Sequence, residues 1–168
     1  MTAARLQLTL FVAAPDAAAI EQVRATFDPV QHDLIAAHVT LCREDELLDL
    51  ERVRRNLAAL ASPPIELDVG PAVRFADGAG VLLPALGAPT AFDALRRRAL
   101  AGVVDQPRHH DPHVTLLHPR NATCTDGIFA AIATHALPRR LRFDAITLIE
   151  QRDGGRWRAL ATWPLTPA

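Results

Sequence analysis

One tetrapeptide occurs twice in the chain and constrains its fold more than any other feature. Residues 38–41 and 113–116 both read His-Val-Thr-Leu, and the second copy starts 75 residues after the first. Side chains of a β-strand alternate between its two faces, so each histidine shares a face with the threonine two positions later. The valine and leucine lie on the other face. The repeat therefore predicts two strands that each present one imidazole and one hydroxyl in front of an apolar back.

Other features recur at nearly the same offset and indicate a duplicated chain. An Ala-Pro pair at residues 14–15 follows one apolar run, and a second pair at residues 88–89 follows another. We therefore predict one α+β domain made of two pseudo-symmetric halves, about 1–76 and 77–168. In this two-lobed fold, two mainly antiparallel sheets face a central cleft and the helices lie on the outside.

The pattern of apolar residues predicts the order strand, helix, motif strand, helix and strand, twice over, with one closing strand. Predicted strands cover residues 6–12, 36–42, 65–75, 81–86, 113–117, 141–150 and 156–165. Helices are predicted from Pro15 to about Phe27, from the acidic residues 44–46 onward, from Pro89, and over residues 125–136. The Asp28-Pro29 pair is expected to end the first helix.

Charge and composition exclude some classes of function. The formal net charge is −1, which argues against a protein that coats long nucleic acid, because such binding depends on neutralising many phosphates. A small or end-on phosphate ligand remains compatible. All 18 basic residues are arginine, and coding bias explains this more simply than function does. The two cysteines, Cys42 and Cys124, lack the spacing of a metal site.

The start of the chain raises the question of a signal peptide. Gln7 and Thr9 interrupt its apolar stretch with the alternation of a strand, so we expect no cleavage there. No apolar run approaches the length of a membrane span. We expect a cytoplasmic monomer without a membrane partner.

The paired His-x-Thr-x motifs in a duplicated chain of this size resemble the 2H phosphoesterase superfamily, which includes bacterial 2'-5' RNA ligases and 2',3'-cyclic nucleotide phosphodiesterases. The resemblance implies that His38 and His113 are catalytic and that Thr40 and Thr115 bind phosphate. It extends to the C-terminal hairpin, where Trp157 closely follows the turn glycines. The chain departs from the RNA ligase branch after its first motif, where residues 42–44 read Cys-Arg-Glu instead of Phe-Leu-Gly.

The resemblance also implies a reaction that two imidazoles suit. In-line cleavage of a phosphodiester needs a base on the entering water and an acid on the departing oxygen, and imidazole performs either role near neutrality. By resemblance His113 is the base and His38 the acid. The implied enzyme is a metal-independent phosphodiesterase without a cofactor. Its substrates would be 2',3'-cyclic phosphates or 2'-5' linkages of nucleotides or RNA ends.

Further residues are candidates for contacts with substrate. Arg43 and Arg120 follow the two motifs at similar offsets, and Phe11 and Trp157 could stack on a base. A histidine-rich segment, residues 109–118, could instead suggest a metal site, although a solvated loop is the simpler interpretation. Two alternatives to the phosphodiesterase therefore stay open. One is a non-catalytic module that binds RNA or nucleotide phosphate, and the other is a metallohydrolase that uses this segment.

Overall fold

The strands of the protein form a seven-stranded sheet and a separate two-stranded sheet, in a computed structural model that describes residues 4–121 and 123–167. The strands are β1 (Ala4–Phe11), β2 (His38–Cys42), β3 (Ile65–Asp68), β4 (Val73–Arg74), β5 (Val81–Pro84), β6 (His113–Leu117), β7 (Arg140–Phe143), β8 (Ala145–Arg152) and β9 (Arg158–Pro164). The helices are α1 (Asp16–Phe27), α2 (Pro29–Leu34), α3 (Leu50–Ala58), α4 (Thr90–Ala99) and α5 (Asp126–Ala133). Within the described ranges, no helix is both long and apolar enough to cross a membrane.

The two motif strands are neighbours in the large sheet. Its strand order is β4-β5-β6-β2-β1-β8-β9, and every pairing in both sheets is antiparallel. This confirms the predicted α+β class with mainly antiparallel sheets. The structure refines the prediction of two facing sheets, because β2 and β6 join directly through one residue pair, Val39 and Val114. One group of three strands, β2-β1-β8, lies on one side of this joint and another, β6-β5-β4, lies on the other side, while β9 pairs with β8 at the edge of the sheet.

The pairing register relates the two groups by an approximate two-fold axis. Val39 pairs with Val114, and Leu67 of β3 pairs with Leu141 of β7, so equivalent residues of the repeat meet each other in both sheets. The last strand of each group comes from the other half of the sequence: β8 pairs with β1, and β4 pairs with β5. The register also shifts at equivalent places, one residue pair into each inner pairing.

Helices of one half cover strands of the other. Helix α1 lies against β6, and α4 lies against β2. These helices bury the apolar side chains behind the motifs, since Val39, Leu41, Val114 and Leu116 are all fully buried. The predicted apolar face of each motif strand is therefore confirmed, and burial of these side chains fixes the direction of the histidines and threonines.

The helices differ from the predicted ones at positions where an aspartate caps the start of a helix. Asp28 ends α1 but also caps α2, because its carboxylate accepts a hydrogen bond from Gln31 N at 3.1 Å, and Pro29 suits the first helical position. The acidic residues Glu44–Glu46 form only a 3₁₀ turn. Helix α3 starts later because Asp49 caps it through Arg52 N.

Two predicted long strands are each divided in the structure. The predicted strand 65–75 becomes β3 and β4, separated by Gly70 and Pro71, where proline cannot donate to a ladder. The predicted strand 141–150 becomes β7 and β8, which belong to different sheets. Asp144 lies between them. In each case, one continuous stretch of alternating residues contributes one strand to each of the two sheets.

Candidate functional site

A cleft of about 520 Å³ lies over the polar face of the two motif strands. Both motif histidines and both motif threonines line it. The other lining residues are Arg5, Gln7, Arg24, Gln31, Leu34, Ile35, Arg43, Phe75, His110, His118, Pro119, Arg120, Asn121, Gln151, Gly154 and Trp157. The chain therefore brings together residues from both halves and from the C-terminal hairpin.

The antiparallel register crosses the two motifs. Because Val39 pairs with Val114, the position of His38 lies opposite Thr115 and that of Thr40 lies opposite His113. Each histidine therefore has the other motif's threonine as its cross-strand neighbour. The arrangement surrounds one point on the sheet with two imidazoles and two hydroxyls, a geometry suited to one small anionic group.

The two histidines share one orienting contact. Nδ1 of His38 is 2.8 Å from the carbonyl oxygen of Ala36, and Nδ1 of His113 is 2.9 Å from that of Asp111. A carbonyl oxygen can only accept a hydrogen bond, so Nδ1 of each ring must carry a proton and donate it to the carbonyl. In the neutral ring Nε2 then holds the free electron pair, and in the charged ring it holds the transferable proton. Nε2 is therefore the atom that can act as base or acid.

Phenylalanine rings pack edge-on against both imidazoles. The ring centroids of Phe11 and His38 are 6.2 Å apart, and those of Phe75 and His113 are 5.6 Å apart. Phe75 lines the cleft, whereas Phe11 is not among the lining residues. Phe11 lies opposite His38 in the pairing of β1 with β2 and packs against its ring outside the cleft. Of Phe11 and Trp157, the two stacking candidates, Trp157 is the one that lines the cleft, together with Phe75.

The protein environment holds His38 in its neutral form. Burial lowers the pKa of His38 from 6.5 to about 4, and the nearby charges of Arg24, His113 and His118 act in the same direction, while the bond to Ala36 opposes them. At neutral pH the free protein thus presents the His38 imidazole without charge. A bound phosphate anion would favour the protonated form and raise this pKa.

The histidine-rich segment does not form the solvated loop that its sequence suggests. His109 is exposed and pairs with Asp111 at 2.6 Å, but the half-buried His110 stacks on Phe92 with ring centroids 6.0 Å apart. Nε2 of His110 is buried and has no hydrogen-bond partner within the part of the chain that the structure describes. Burial, with the charge of Arg96, lowers the pKa of His110 to about 4.

His118 joins the cleft because β6 ends at Leu117. Had the strand continued, the side chain of His118 would lie on the face opposite His113, but the chain turns and His118 lines the cleft beside Arg120. Burial lowers its pKa, and the charge of Arg120 adds to this effect. Across residues 4–121 and 123–167, no three His, Cys, Asp or Glu side chains converge in a way that could hold a metal ion.

The cleft is basic although the whole chain is nearly neutral. Four arginines and four histidines line it, and no aspartate or glutamate is among its described lining residues. Arg5 is engaged, because its Nε is 3.0 Å from Glu44 and its guanidinium lies 5.6 Å from the centre of the Trp157 ring. Arg43 and Arg120 are exposed and form no ion pair within the described chain. Their charges are available to an anionic ligand.

A buried carboxylate fixes the wall that carries Arg120. Asp28 is only 2% exposed, and its two oxygens accept from the backbone N of His118 at 2.7 Å and from Nδ2 of Asn121 at 3.0 Å, besides capping α2. A charged acceptor bonded to backbone donors is among the stronger protein hydrogen bonds. Asp28 therefore ties the turn after β6 to the α1–α2 junction.

A buried ion pair fixes the opposite wall. Nη2 of Arg96 is 2.6 Å from Oε1 of Glu46, and Nη1 donates to the carbonyl oxygen of Leu41. Nη2 also donates to the carbonyl of Arg108 at 3.1 Å, and Oε2 of Glu46 accepts from the backbone N of Arg43 at 3.0 Å. The pair holds the end of β2, which carries Arg43, against the loop that carries His110.

Cys42 follows the first motif but has no part in the cleft. It is fully buried, and burial raises the pKa of its thiol to about 12, with the charge of Arg96 as the main opposing effect. The reactive thiolate is therefore suppressed at neutral pH. Cys42 acts as a small packing residue, because the register shift in the pairing of β1 with β2 places it opposite the buried Leu8.

The sequence does not single out Gln7, which lines the cleft beside the first motif. Nε2 of Gln7 is 2.9 Å from Oγ1 of Thr40 and 2.7 Å from Oγ1 of Thr9. The available signal was its position in β1, where Gln7 and Thr9 alternate with buried leucines and so share a polar face. The pairing of β1 with β2 that brings this face to Thr40 depends on the tertiary structure.

Comparisons with known proteins agree with this architecture. The sequence profile of the 2'-5' RNA ligase superfamily matches residues 12–155. The structure of E. coli LigT complexed with ATP is 20% identical with a TM-score of 0.66, covering 96% of this chain and 98% of that chain. The protein TT0787 of Thermus thermophilus is 18% identical with a TM-score of 0.62, covering 97% and 98%. No match was found among curated proteins.

Proposed function

The chain belongs to the 2'-5' RNA ligase superfamily, and on this basis we propose that it is a metal-independent phosphodiesterase. Its proposed substrates are 2',3'-cyclic phosphates or 2'-5' linkages of nucleotides or RNA ends. Two-histidine acid/base catalysis by His38 and His113 would perform the reaction. We further propose that it acts in the cytoplasm and that its halves, about 1–76 and 77–168, each supply one histidine.

The observation that carries this proposal is the crossed arrangement of the two motifs in a basic cleft. Both imidazoles donate through Nδ1 to a backbone carbonyl, which leaves Nε2 of each ring for chemistry. Four arginines and no carboxylate are among the described residues that line the cleft, which favours an anionic substrate. LigT of E. coli is described in complexes with phosphate and with 3'-AMP. A phosphate-bearing nucleotide end is therefore the ligand class proposed for this chain.

In the proposed reaction, two proton transfers occur on opposite sides of phosphorus. Nε2 of His113 takes a proton from water as the water oxygen bonds to phosphorus. Nε2 of His38 gives a proton to the oxygen that departs as its bond to phosphorus breaks. The family's binding orientation makes the 3'-oxygen the leaving group, so a 2',3'-cyclic nucleotide would yield the 2'-phosphate.

Charge on the reacting phosphoryl group is stabilised by the threonines and arginines in this proposal. The hydroxyls of Thr40 and Thr115 donate to its non-bridging oxygens, where charge develops in the transition state. Arg43 and Arg120 bind the phosphate from the rim. The same anion would raise the lowered pKa of His38 and so charge the ring that must act as acid.

A turnover panel tests the proposal. The substrates are a 2',3'-cyclic mononucleotide, a 2'-5' dinucleotide, ADP-ribose cyclic phosphate and a 3'-5' dinucleotide control, each with and without prolonged chelation. Turnover of at least one of the first three, unchanged by the chelator and absent on the control, is expected. Phosphorus NMR should show the 2'-phosphate from the cyclic nucleotide. Binding without turnover would favour the non-catalytic module, and loss of activity on chelation would favour a metallohydrolase.

A further inference from the structure

Gln7 forms a bridge between two threonines on neighbouring strands. Its carboxamide nitrogen lies 2.7 Å from Oγ1 of Thr9 in the same strand and 2.9 Å from Oγ1 of Thr40 in β2. Thr9 is 0% exposed, so it cannot contact a ligand and serves as a fixed anchor. Gln7 itself lines the cleft next to Thr40. The bridge therefore connects a buried hydroxyl to the hydroxyl that faces the proposed phosphate.

The direction of these hydrogen bonds determines what Thr40 can do. A carboxamide nitrogen only donates, so both hydroxyl oxygens act as acceptors in the bridge. The hydroxyl hydrogen of Thr40 is then not used within the bridge. Because Gln7 occupies one side of Oγ1, this hydrogen is left for the cleft. A hydroxyl already oriented as a donor stabilises developing negative charge without reorganising during the reaction.

We infer that Gln7 is a positioning residue, which holds the Thr40 hydroxyl as a hydrogen-bond donor towards the reacting phosphate. The inference rests on the proposed function, because it needs an anion at Thr40. It adds that Gln7 acts through Thr40 and not through a contact of its own with substrate. If the carboxamide had the reverse orientation, Thr40 would donate to Oε1 and its hydrogen would be lost to the ligand.

Among the described residues, the second motif has no such bridge. In the first half, Thr9 lies opposite Thr40, and Gln7 is two positions before Thr9. The equivalent positions in the second half are Leu82, which lies opposite Thr115, and Gly80. Gly80 leaves no room for a side chain, because a Cβ there would lie 2.6 Å from the carbonyl oxygen of Leu117. Over residues 4–121 and 123–167, the bridge therefore exists in one half only, and it distinguishes two threonines that the repeated sequence makes alike.

A double-mutant cycle between Gln7 and Thr40 tests the inference. Gln7→Met keeps the length of the side chain and removes the donor, and Thr40→Val removes the hydroxyl. The exposed Gln22→Met on α1 is the matched control. We expect Gln7→Met to lower kcat about tenfold, the effect of losing one well-formed hydrogen bond, with little change in KM. In the Thr40→Val background, Gln7→Met should change kcat less than about twofold.

The outcomes separate this inference from the proposed function. Equal losses of kcat from Gln7→Met in both backgrounds would mean that Gln7 acts directly or structurally. No loss in either background would leave Gln7 without a role. Either outcome overturns this inference and leaves the proposed function standing. Wild-type turnover by Thr40→Val would instead overturn the phosphate-binding role of Thr40. If Gln7→Met does not fold, Gln7→Glu replaces it in the cycle. Its carboxylate accepts from both hydroxyls, and a loss that also depends on Thr40 supports the bridge.

Discussion

The two motif strands carry the same four residues, but the protein surrounds them differently. Both histidines bond a carbonyl through Nδ1, and both have a phenylalanine edge nearby. In contrast, the residue three positions before His38 is Ile35, whereas the equivalent residue before His113 is His110. Both of these residues line the cleft. The two histidines therefore differ in their surroundings. Burial lowers the pKa of His38, whereas His113 has a second imidazole close by, with the ring centroids of His110 and His113 6.3 Å apart.

This difference is the structural basis for proposing that the two identical motifs have unlike tasks. The repeat and its register supply the shared geometry: the common face, the crossed neighbours and the free Nε2 atoms. Residues outside the repeat supply the asymmetry, since Gln7 supports one threonine and His110 accompanies one histidine. In the proposed reaction, the entering water must approach phosphorus from one side, and a symmetric cleft could not prefer either. The unlike surroundings of the motifs are the proposed source of that preference.

The largest effect should come from the histidines themselves. His38→Ala and His113→Ala should each lower turnover about 10²–10⁴-fold, the usual contribution of a general acid or base. Because the two act in one step, the double variant should be little slower than either single one. Steady-state kinetics and circular dichroism of the three variants give the comparison. Full activity of either folded single variant would remove that histidine from the mechanism.

The threonines should show a smaller and unequal effect. Thr40→Val and Thr115→Val keep the side-chain shape and β-propensity, so thermal stability should stay close to that of the wild type. We expect turnover to fall about 10²-fold for Thr40→Val and about tenfold for Thr115→Val, because we infer that Gln7 orients the Thr40 hydroxyl in advance. Equal losses would break the proposed asymmetry. A large fall in melting temperature with unchanged kinetics would make both residues structural.

The smallest effect should be on stability at acid pH, and it comes from His110. Its folded pKa of about 4 lies below the value of about 6.5 expected for an unfolded chain, so the unfolded state takes up the proton first. The contribution of neutral His110 to stability is therefore present above pH 6.5 and is lost as the pH falls towards 4. Arg96, Glu46 and His113 are the charged or titratable groups that influence it.

Denaturant unfolding between pH 7 and pH 4 measures this contribution. His110→Phe should lose less unfolding free energy over that range than the wild type, since phenylalanine retains the stacking on Phe92 without a proton site. His109→Phe, which changes an exposed ring in the same loop, is the control and should follow the wild type. An unchanged pH dependence for His110→Phe would mean that His110 is not held neutral by its burial.

The sequence predicts the motif strands and their faces well because each signal is local. The alternation in residues 38–41 and 113–116 determines which side chains are buried, and the burial of Val39 and Val114 agrees. Local signals predict helix ends less well. Asp28 and Pro29 favour both the end of one helix and the start of another, so α2 was not predicted. Sequence alone does not determine which of these outcomes the packing selects.

Local sequence patterns do not predict site residues whose position depends on strand pairing or on a reversal of the chain. Gln7 and Thr40 are 33 positions apart and meet only because β1 pairs with β2. His118 reaches the cleft because Asp28, 90 positions away, holds the turn after β6. Phe11 and Trp157 look equivalent as aromatic candidates, yet only Trp157 lines the cleft. The motif strands and their shared polar face could thus be predicted from the sequence, but not the residues that differentiate the two copies.

The division of acid and base roles between the two histidines is tested most directly by changing the leaving group. A p-nitrophenyl phosphodiester releases an anion that needs little help from a proton, so a variant that lacks only the acid should recover activity on it. We predict that His38→Ala recovers much of its lost turnover on bis(p-nitrophenyl) phosphate, whereas His113→Ala stays inactive. Recovery by His113→Ala instead, or by neither variant or both equally, would contradict this division of roles.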